Sequence, residues 1–231
     1  MKRKLLYFCT AICSVVLLAS CSKDETEASA SIMFVNVSPN GANIDAAVGG
    51  SVVASNIAYP NNSGYKTVAT GTQNIKVTQS TGGAEVLNGS FSFESGAYYS
   101  FYVVDSSHER KATVVRDDLS APSAGKAKIR ILHLAPDAPA VNINITGSGT
   151  AAITSNNRTF NDVATNAAFG SFTEVDAAGL TIQVNNALTT TTALTIPVPA
   201  LTAGKIYTFV IRGFAAGTGS QQLGLQVIQH N

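Results

Sequence analysis

Tryptophan is absent from the 231 residues, and only three cysteines occur: Cys9, Cys13 and Cys21. Beyond Cys21 there is no thiol, which excludes disulfides, thiolate nucleophiles and cysteine metal sites from the remainder of the chain. Without Trp, a binding surface must rest on Tyr, Arg and backbone groups. Charge is also sparse, with 15 basic and 14 acidic side chains making up 13% of residues. Nucleic acid requires clustered Lys and Arg to neutralise phosphates, so it is excluded as a partner. The histidines His108, His133 and His230 have no ligand spacing, and neither an Asp-x-Asp-x-Asp loop nor a Gly-x-Ser-x-Gly elbow occurs. No metal, cofactor or catalytic residue is therefore expected. Asp105, Glu109, Asp117 and Asp118 could offer oxygen ligands to calcium, but a solvated linker is the better reading of that charged stretch. Glu85 with Glu94, or Glu174 with Asp176, could form a hydrolytic carboxylate pair, although spacing alone cannot set them across a cleft.

One long apolar run exists, Leu5 to Ala19, preceded by Lys2, Arg3 and Lys4 and followed by small residues. That is the pattern of a secretory signal, too short and too interrupted by Thr10 and Ser14 for a permanent span of roughly 20 residues. Leu18-Ala19-Ser20-Cys21 resembles the lipobox of bacterial lipoproteins, which implies cleavage before Cys21 and lipidation of its thiol. Two or more acyl chains give stable anchoring, because each buried methylene contributes about 0.8 kcal/mol. Ser22-Lys23-Asp24-Glu25 resembles the surface-export signal of Bacteroidota lipoproteins, implying the outer face of the outer membrane; a plain solvated tether is the alternative. Loss of residues 1–20 removes three basic side chains and leaves 12 against 14 acidic, a net charge of −2.

The remaining chain repeats itself. Ser31 to Val48 aligns without a gap on Lys128 to Ile145, Asn74 to Val77 on Thr181 to Val184, and Ser95 to Val103 on Ala203 to Ile211, in the same order. The second copy is longer by about ten residues, which fit in an enlarged loop from Gly147 to Ala164. Apolar residues alternate with polar ones, as in Val141, Ile143 and Ile145 against Asn142 and Asn144, the period of a strand with one wet face. Helical periodicity is missing. The expected fold is all-β: two tandem antiparallel β-sandwich domains, immunoglobulin-like or transthyretin-like, after a lipoprotein signal peptide. The expected boundaries are 1–20 signal, 21–30 acidic tether, 31–116 first repeat, 117–126 linker and 127–231 second repeat.

Ile131-Leu132-His133-Leu134-Ala135-Pro136-Asp137-Ala138-Pro139-Ala140-Val141-Asn142 resembles the opening signature of domain of unknown function 4397. The likeness is strong in the second repeat and weak in the first, where Asn36 stands for the histidine. It implies envelope-associated β domains in tandem and supplies no activity. His133, Pro136, Asp137 and Pro139 read as a structural turn, with the His133 side chain bonding the chain that follows. Tyr99 and Tyr207 resemble tyrosine corners, whose phenol bonds nearby backbone. Tyr59 and Tyr65 are the candidate ligand-binding aromatics, since Tyr can stack on sugar rings or anchor an interface. The functional expectation is a non-enzymatic, lipid-anchored envelope protein facing the cell exterior. It would serve adhesion or an envelope complex, with glycan capture as the alternative and an envelope hydrolase a distant third.

Replacing the lipidation site, Cys21→Ala, is expected to abolish incorporation of labelled fatty acid and release the protein from membranes; persistent sedimentation with membranes would refute the anchor.

Overall fold

The computed structural model describes residues 28–147 and 150–231. These residues form sixteen strands and no α-helix. The first eight are β1 (Ser29–Asn36), β2 (Ile44–Val48), β3 (Ser51–Ile57), β4 (Asn62–Ala69), β5 (Gly71–Gln79), β6 (Glu85–Phe93), β7 (Tyr98–Val104) and β8 (Lys111–Asp117). The second eight are β9 (Lys126–His133), β10 (Val141–Gly147), β11 (Thr150–Arg158), β12 (Thr173–Asp176), β13 (Leu180–Asn186), β14 (Thr192–Val198), β15 (Ile206–Arg212) and β16 (Gly224–Gln229). They assemble into four-stranded sheets ordered β4-β1-β7-β8 and β3-β2-β5-β6, then β12-β9-β15-β16 and β11-β10-β13-β14. The second half repeats the strand order of the first. Between the halves the connector is 118–125, since Asp117 closes β8 and Lys126 opens β9.

Each half is a pair of sheets packed over its own core. In the first, Ile32, Phe34, Phe101 and Val103 meet Ile44, Ala46, Ile75 and Val77; in the second, Ile129, Ile131 and Phe209 meet Ile143, Ile145, Ile182 and Val184. The alternation read from the sequence holds in β2 and β10, where every second residue is buried. One pairing in each half departs from the antiparallel expectation: β1 runs parallel to β7, and β9 parallel to β15. No hairpin joins these partners. The chain crosses to the other sheet and back between them, so their relative direction is free of the constraint a tight turn imposes.

A second departure has more consequence. Strands β1, β7, β9 and β15 are buried along nearly their whole length, with no wet face. Their second faces are covered because the sheet holding β1 and β7 packs against the sheet holding β9 and β15. Met33, Val35, Tyr102 and Val104 from the first half join Leu132, Leu134, Val210 and Ile228 from the second in a third apolar cluster. Strands buried on both faces lose the period-two signal and read as continuous apolar runs. The extra residues of the second copy also lie elsewhere than expected. Half of Gly147 to Ala164 is strand β11, whereas the β3–β4 link of four residues (58–61) becomes fourteen (159–172) between β11 and β12. This insert folds into two 3-10 turns, Asp162–Ala164 and Ala167–Gly170, and feeds Phe160, Val163 and Phe169 into the third cluster.

Candidate functional site: a cleft beside a buried polar seam

Within the apolar contact between the halves lies a ring of hydrogen bonds. Arg130 on β9 and Asp117 at the end of β8 have no exposed side-chain surface and pair at 2.5 Å. Arg130 Nε donates to Thr208 Oγ1 (2.8 Å), and Thr208 contacts His230 Nε2 (2.7 Å). His230 Nδ1 meets the Tyr65 hydroxyl (2.7 Å), which donates to Asp117 Oδ2 (2.6 Å). Tyr65 has one proton and gives it to the carboxylate, so His230 Nδ1 must be the donor to Tyr65 and Nε2 the acceptor from Thr208. One neutral imidazole tautomer thus satisfies the whole circuit. Ser100 adds a bond to Asp117 (2.7 Å), Tyr102 accepts from Arg130 (3.2 Å), and the Phe172 ring lies 4.4 Å from the Arg130 guanidinium carbon.

The repeat explains these positions. Ser100 and Thr208 are aligned residues, and each bonds the polar residue opposite the start of the preceding strand, Asp117 facing Tyr98 and His230 facing Ile206. Met33 in the first copy aligns with Arg130 in the second. The two halves therefore present matching rows that carry complementary groups, a carboxylate in one and a cation with an imidazole in the other. Burial holds the His230 imidazole down at about 4. Burial and the adjacent Asp117 carboxylate drive the Tyr65 phenol well up, which keeps its proton in place.

The seam leads into an open cleft of about 1,100 Å³ between the halves. Tyr98 and Arg116 line it from the first half, Asp118 from the connector, and Ala167, Phe172 and Asn231 from the second. Tyr98 is 39% exposed and packs edge-on against Tyr65, with ring centres 5.2 Å apart. The insert at 159–172 supplies one wall, so the longer loop of the second copy helps to create the cleft.

The residues singled out from the sequence fall in different places. Cys21 and the segment Ser22, Lys23, Asp24 and Glu25 lie outside the described residues. Tyr59 and Tyr65 both serve the contact between halves: Arg212 donates to the Tyr59 hydroxyl (3.2 Å), and Tyr65 belongs to the ring. His133 is fully buried; its Nδ1 accepts from Ala135 N (3.4 Å), and Nε2 makes a long contact to Pro139 O (3.5 Å). Asn36 makes the equivalent bonds, accepting from Ser38 N (3.3 Å) and donating to Ala42 O (3.3 Å). Imidazole and carboxamide both present an acceptor and a donor at the required separation, which is why either can staple this turn. Pro136 and Pro139 flank Asp137, whose carboxylate accepts from Ala215 N (2.7 Å). Tyr99 and Tyr207 accept from the backbone N–H five residues upstream, Glu94 and Thr202, at 3.2 Å each.

The residues considered for catalysis are buried, stand apart or are engaged elsewhere. Thr208 and His230 resemble a nucleophile and base, but Thr208 has no exposed surface and its oxygen is occupied by Arg130. Glu85 and Glu94 stand at opposite ends of β6, about 30 Å apart along a nine-residue strand, against the ~5–9.5 Å of glycosidase pairs. Glu174 and Asp176 lie two residues apart on β12, engaged by Ser123 and Lys126. Three of the four carboxylates considered for calcium are committed to cations, Asp105 to Lys111 (2.8 Å), Asp117 to Arg130 and Asp118 to Lys128 (3.0 Å). Among the described residues no three or more His, Asp or Glu side chains gather as a metal site.

The seam was legible only in part. A lone arginine inside Ile129-Arg130-Ile131-Leu132 signals a buried cation that must find a counter-ion, but sequence could not name Asp117 as that ion. Replacing Arg130 by the residue its repeat partner carries, Arg130→Met, leaves Asp117 buried without its cation and is expected to cost about 3–5 kcal/mol of unfolding free energy by urea titration. The added change Asp117→Asn should restore part of it. For pH, His230 takes up its proton near 6.5 when unfolded and near 4 when folded. Between those values the unfolded state binds more protons, so acidification destabilises the fold. The stability held above pH 6.5 is lost as pH falls to about 4, by at most about 3 kcal/mol. His230→Gln, which can keep a donor and an acceptor in the ring, should show a correspondingly smaller drop between pH 7 and pH 4 in parallel denaturation curves.

The sequence profile of a domain of unknown function, DUF4397, matches residues 30–144. No curated protein matches the chain. Among solved structures, one similar chain is a carbohydrate-binding module of family CBM26 from Eubacterium rectale Amy13K in complex with maltoheptaose. It is 12% identical, with 87% of this chain and 96% of that one covered and a TM-score of 0.26. Another is a leucine-rich repeat protein from Bacteroides thetaiotaomicron, 11% identical over 85% of this chain and 27% of that one, with a TM-score of 0.21. At those scores neither likeness assigns a fold or a ligand. The profile match contains the whole first sheet pair, the connector and the second copy as far as Asn144 in β10; a DUF4397 domain is therefore present over residues 30–144.

Proposed function

We propose that this chain is a lipoprotein anchored through Cys21 to the outer membrane, carried to its outer face by the Ser22-Lys23-Asp24-Glu25 segment, and that it captures carbohydrate there without catalysis. On this reading both sheet pairs are sandwiches of the immunoglobulin or transthyretin kind, the second being a diverged copy of the DUF4397 unit. The observation that carries the ligand reading is the cleft between the halves, where an exposed aromatic ring stands beside hydrogen-bonding side chains. Small-molecule sites combine apolar and aromatic walls with a few placed polar groups. Tyr59 and Tyr65, proposed from the sequence as ligand contacts, support this site by fixing the two halves and by backing the Tyr98 ring.

Adhesion or assembly through protein contact is the second reading. Its support is exposed apolar side chains outside the cleft lining, Leu188 in the turn after β13 at 87% and Val52 near the start of β3 at 66% exposure. Scattered single exposed residues are common, so this support is the weaker.

Two measurements test the reading. Protease added to intact cells should remove the protein, and replacing Lys23, Asp24 and Glu25 by alanine should protect it while membrane association persists. The mature protein should be retarded in gels containing a soluble polysaccharide. If no polysaccharide retards it and Leu188→Ser reduces attachment of cells to protein-coated surfaces, the adhesion reading replaces the carbohydrate one.

A further inference from the structure

We infer that the ligand of the cleft is an uncharged oligosaccharide, seated on the Tyr98 ring and held between the two halves. The inference rests on the carbohydrate reading above and names the site and the class of sugar.

Tyr98 is the only large aromatic that the cleft presents on the first-half side, and its repeat partner Ile206 is fully buried, so the platform belongs to one copy alone. A sugar ring offers a face of C–H groups that packs on an aromatic ring, while its hydroxyls need partners at the edge. Such a platform is useful when it is rigid. Tyr98 is backed by the Tyr65 ring at 84°, and Tyr65 is pinned at its hydroxyl by both Asp117 and His230. The buried ring thus preorganises the exposed surface, which reduces the ordering cost of binding. Across the cleft, Phe172 lies against His230 in an edge-to-face contact (5.5 Å) and under Arg130 (4.4 Å), so the opposing wall is fixed by the same seam.

Charge selects the sugar class. The charged side chains lining the cleft each have a counter-ion of their own: Arg116 with Glu94 (2.7 Å), Asp118 with Lys128 (3.0 Å) and Asp117 with Arg130 (2.5 Å). His230 carries no charge at neutral pH. The walls consequently offer donors and acceptors without a surplus cation for a uronate, sulfate or phosphate. Hydroxyl-rich neutral chains match that surface, because a polar ligand gains where its groups are paired and an unpaired charge is costly to desolvate.

The test uses the mature protein against two panels in calorimetry. One holds neutral hexasaccharides (gluco-, xylo- and manno-oligosaccharides), and the other holds polygalacturonate and chondroitin sulfate. Binding to at least one neutral member is expected, weakened about tenfold or more by Tyr98→Ala and retained by Tyr98→Phe. Ala167→Trp, which fills the cleft from its exposed opposite wall, should abolish binding, and it serves as an independent reporter if Tyr98→Ala fails to fold. Equal affinity in the wild type and both cleft variants would overturn the site while leaving the carbohydrate reading intact. Binding confined to the acidic panel would overturn the neutral class. Binding to neither panel would remove the carbohydrate reading itself, and with it this inference.

Discussion

The Arg130–Asp117 pair sets the terms for the rest of the molecule. Two opposite charges with no exposed side-chain surface are costly to desolvate, and their mutual attraction offsets that only when the remaining donors and acceptors are also met. Here they are met by residues from both halves. Thr208, Gly170, Tyr102, Ser100 and Tyr65 each take or give a bond, and His230 links Thr208 to Tyr65. The two sheet pairs are therefore held in one register by directional bonds inside an apolar contact. Apolar burial alone is non-directional and would fix their separation more firmly than their angle.

The repeated topology shows how such a seam is built. Aligned rows from the two halves face each other, and they differ at single positions: Met33 stands where the other half has Arg130, and Asp117 where it has His230, while Ser100 and Thr208 keep a hydroxyl in both. The structural staples stayed in place. Asn36 and His133 close the same turn with different chemistry, and Tyr99 and Tyr207 bond the same upstream backbone position. The insert at 159–172 has no counterpart of its length in the first copy, and it builds both part of the contact and one wall of the cleft. Asymmetry between the copies is thus where the site lies, and symmetry is where the fold lies.

Much of the architecture was legible because strand period, turn residues and repeat alignment are local. Val141, Ile143 and Ile145 announced a half-buried strand, and the order of matched segments announced two units with one topology. The parallel pairing of β1 with β7 was not legible, since pairing direction across a crossover depends on which strands meet in space. Nor was the contact between halves. The runs Ile32-Met33-Phe34-Val35 and Tyr207-Thr208-Phe209-Val210 were too apolar for strands with a wet face, which is the one sign that a second face is covered. Tyr65 drew notice as a candidate ligand-binding aromatic; in the structure it packs against Tyr98, which the sequence alone did not distinguish from its neighbours.

By itself, the sequence determined that the chain has no thiol beyond Cys21, too little clustered charge for nucleic acid, and two copies of an all-β unit, because composition and periodicity suffice for each. Tertiary structure decided which polar residues became buried, which aromatic stayed exposed, and that the two copies share a cleft. Those outcomes depend on side chains far apart in sequence, such as Tyr65 with His230 and Arg130 with Asp117, meeting in a low-dielectric contact where a partner's presence or absence changes the energy by several kcal/mol. No local pattern records such meetings.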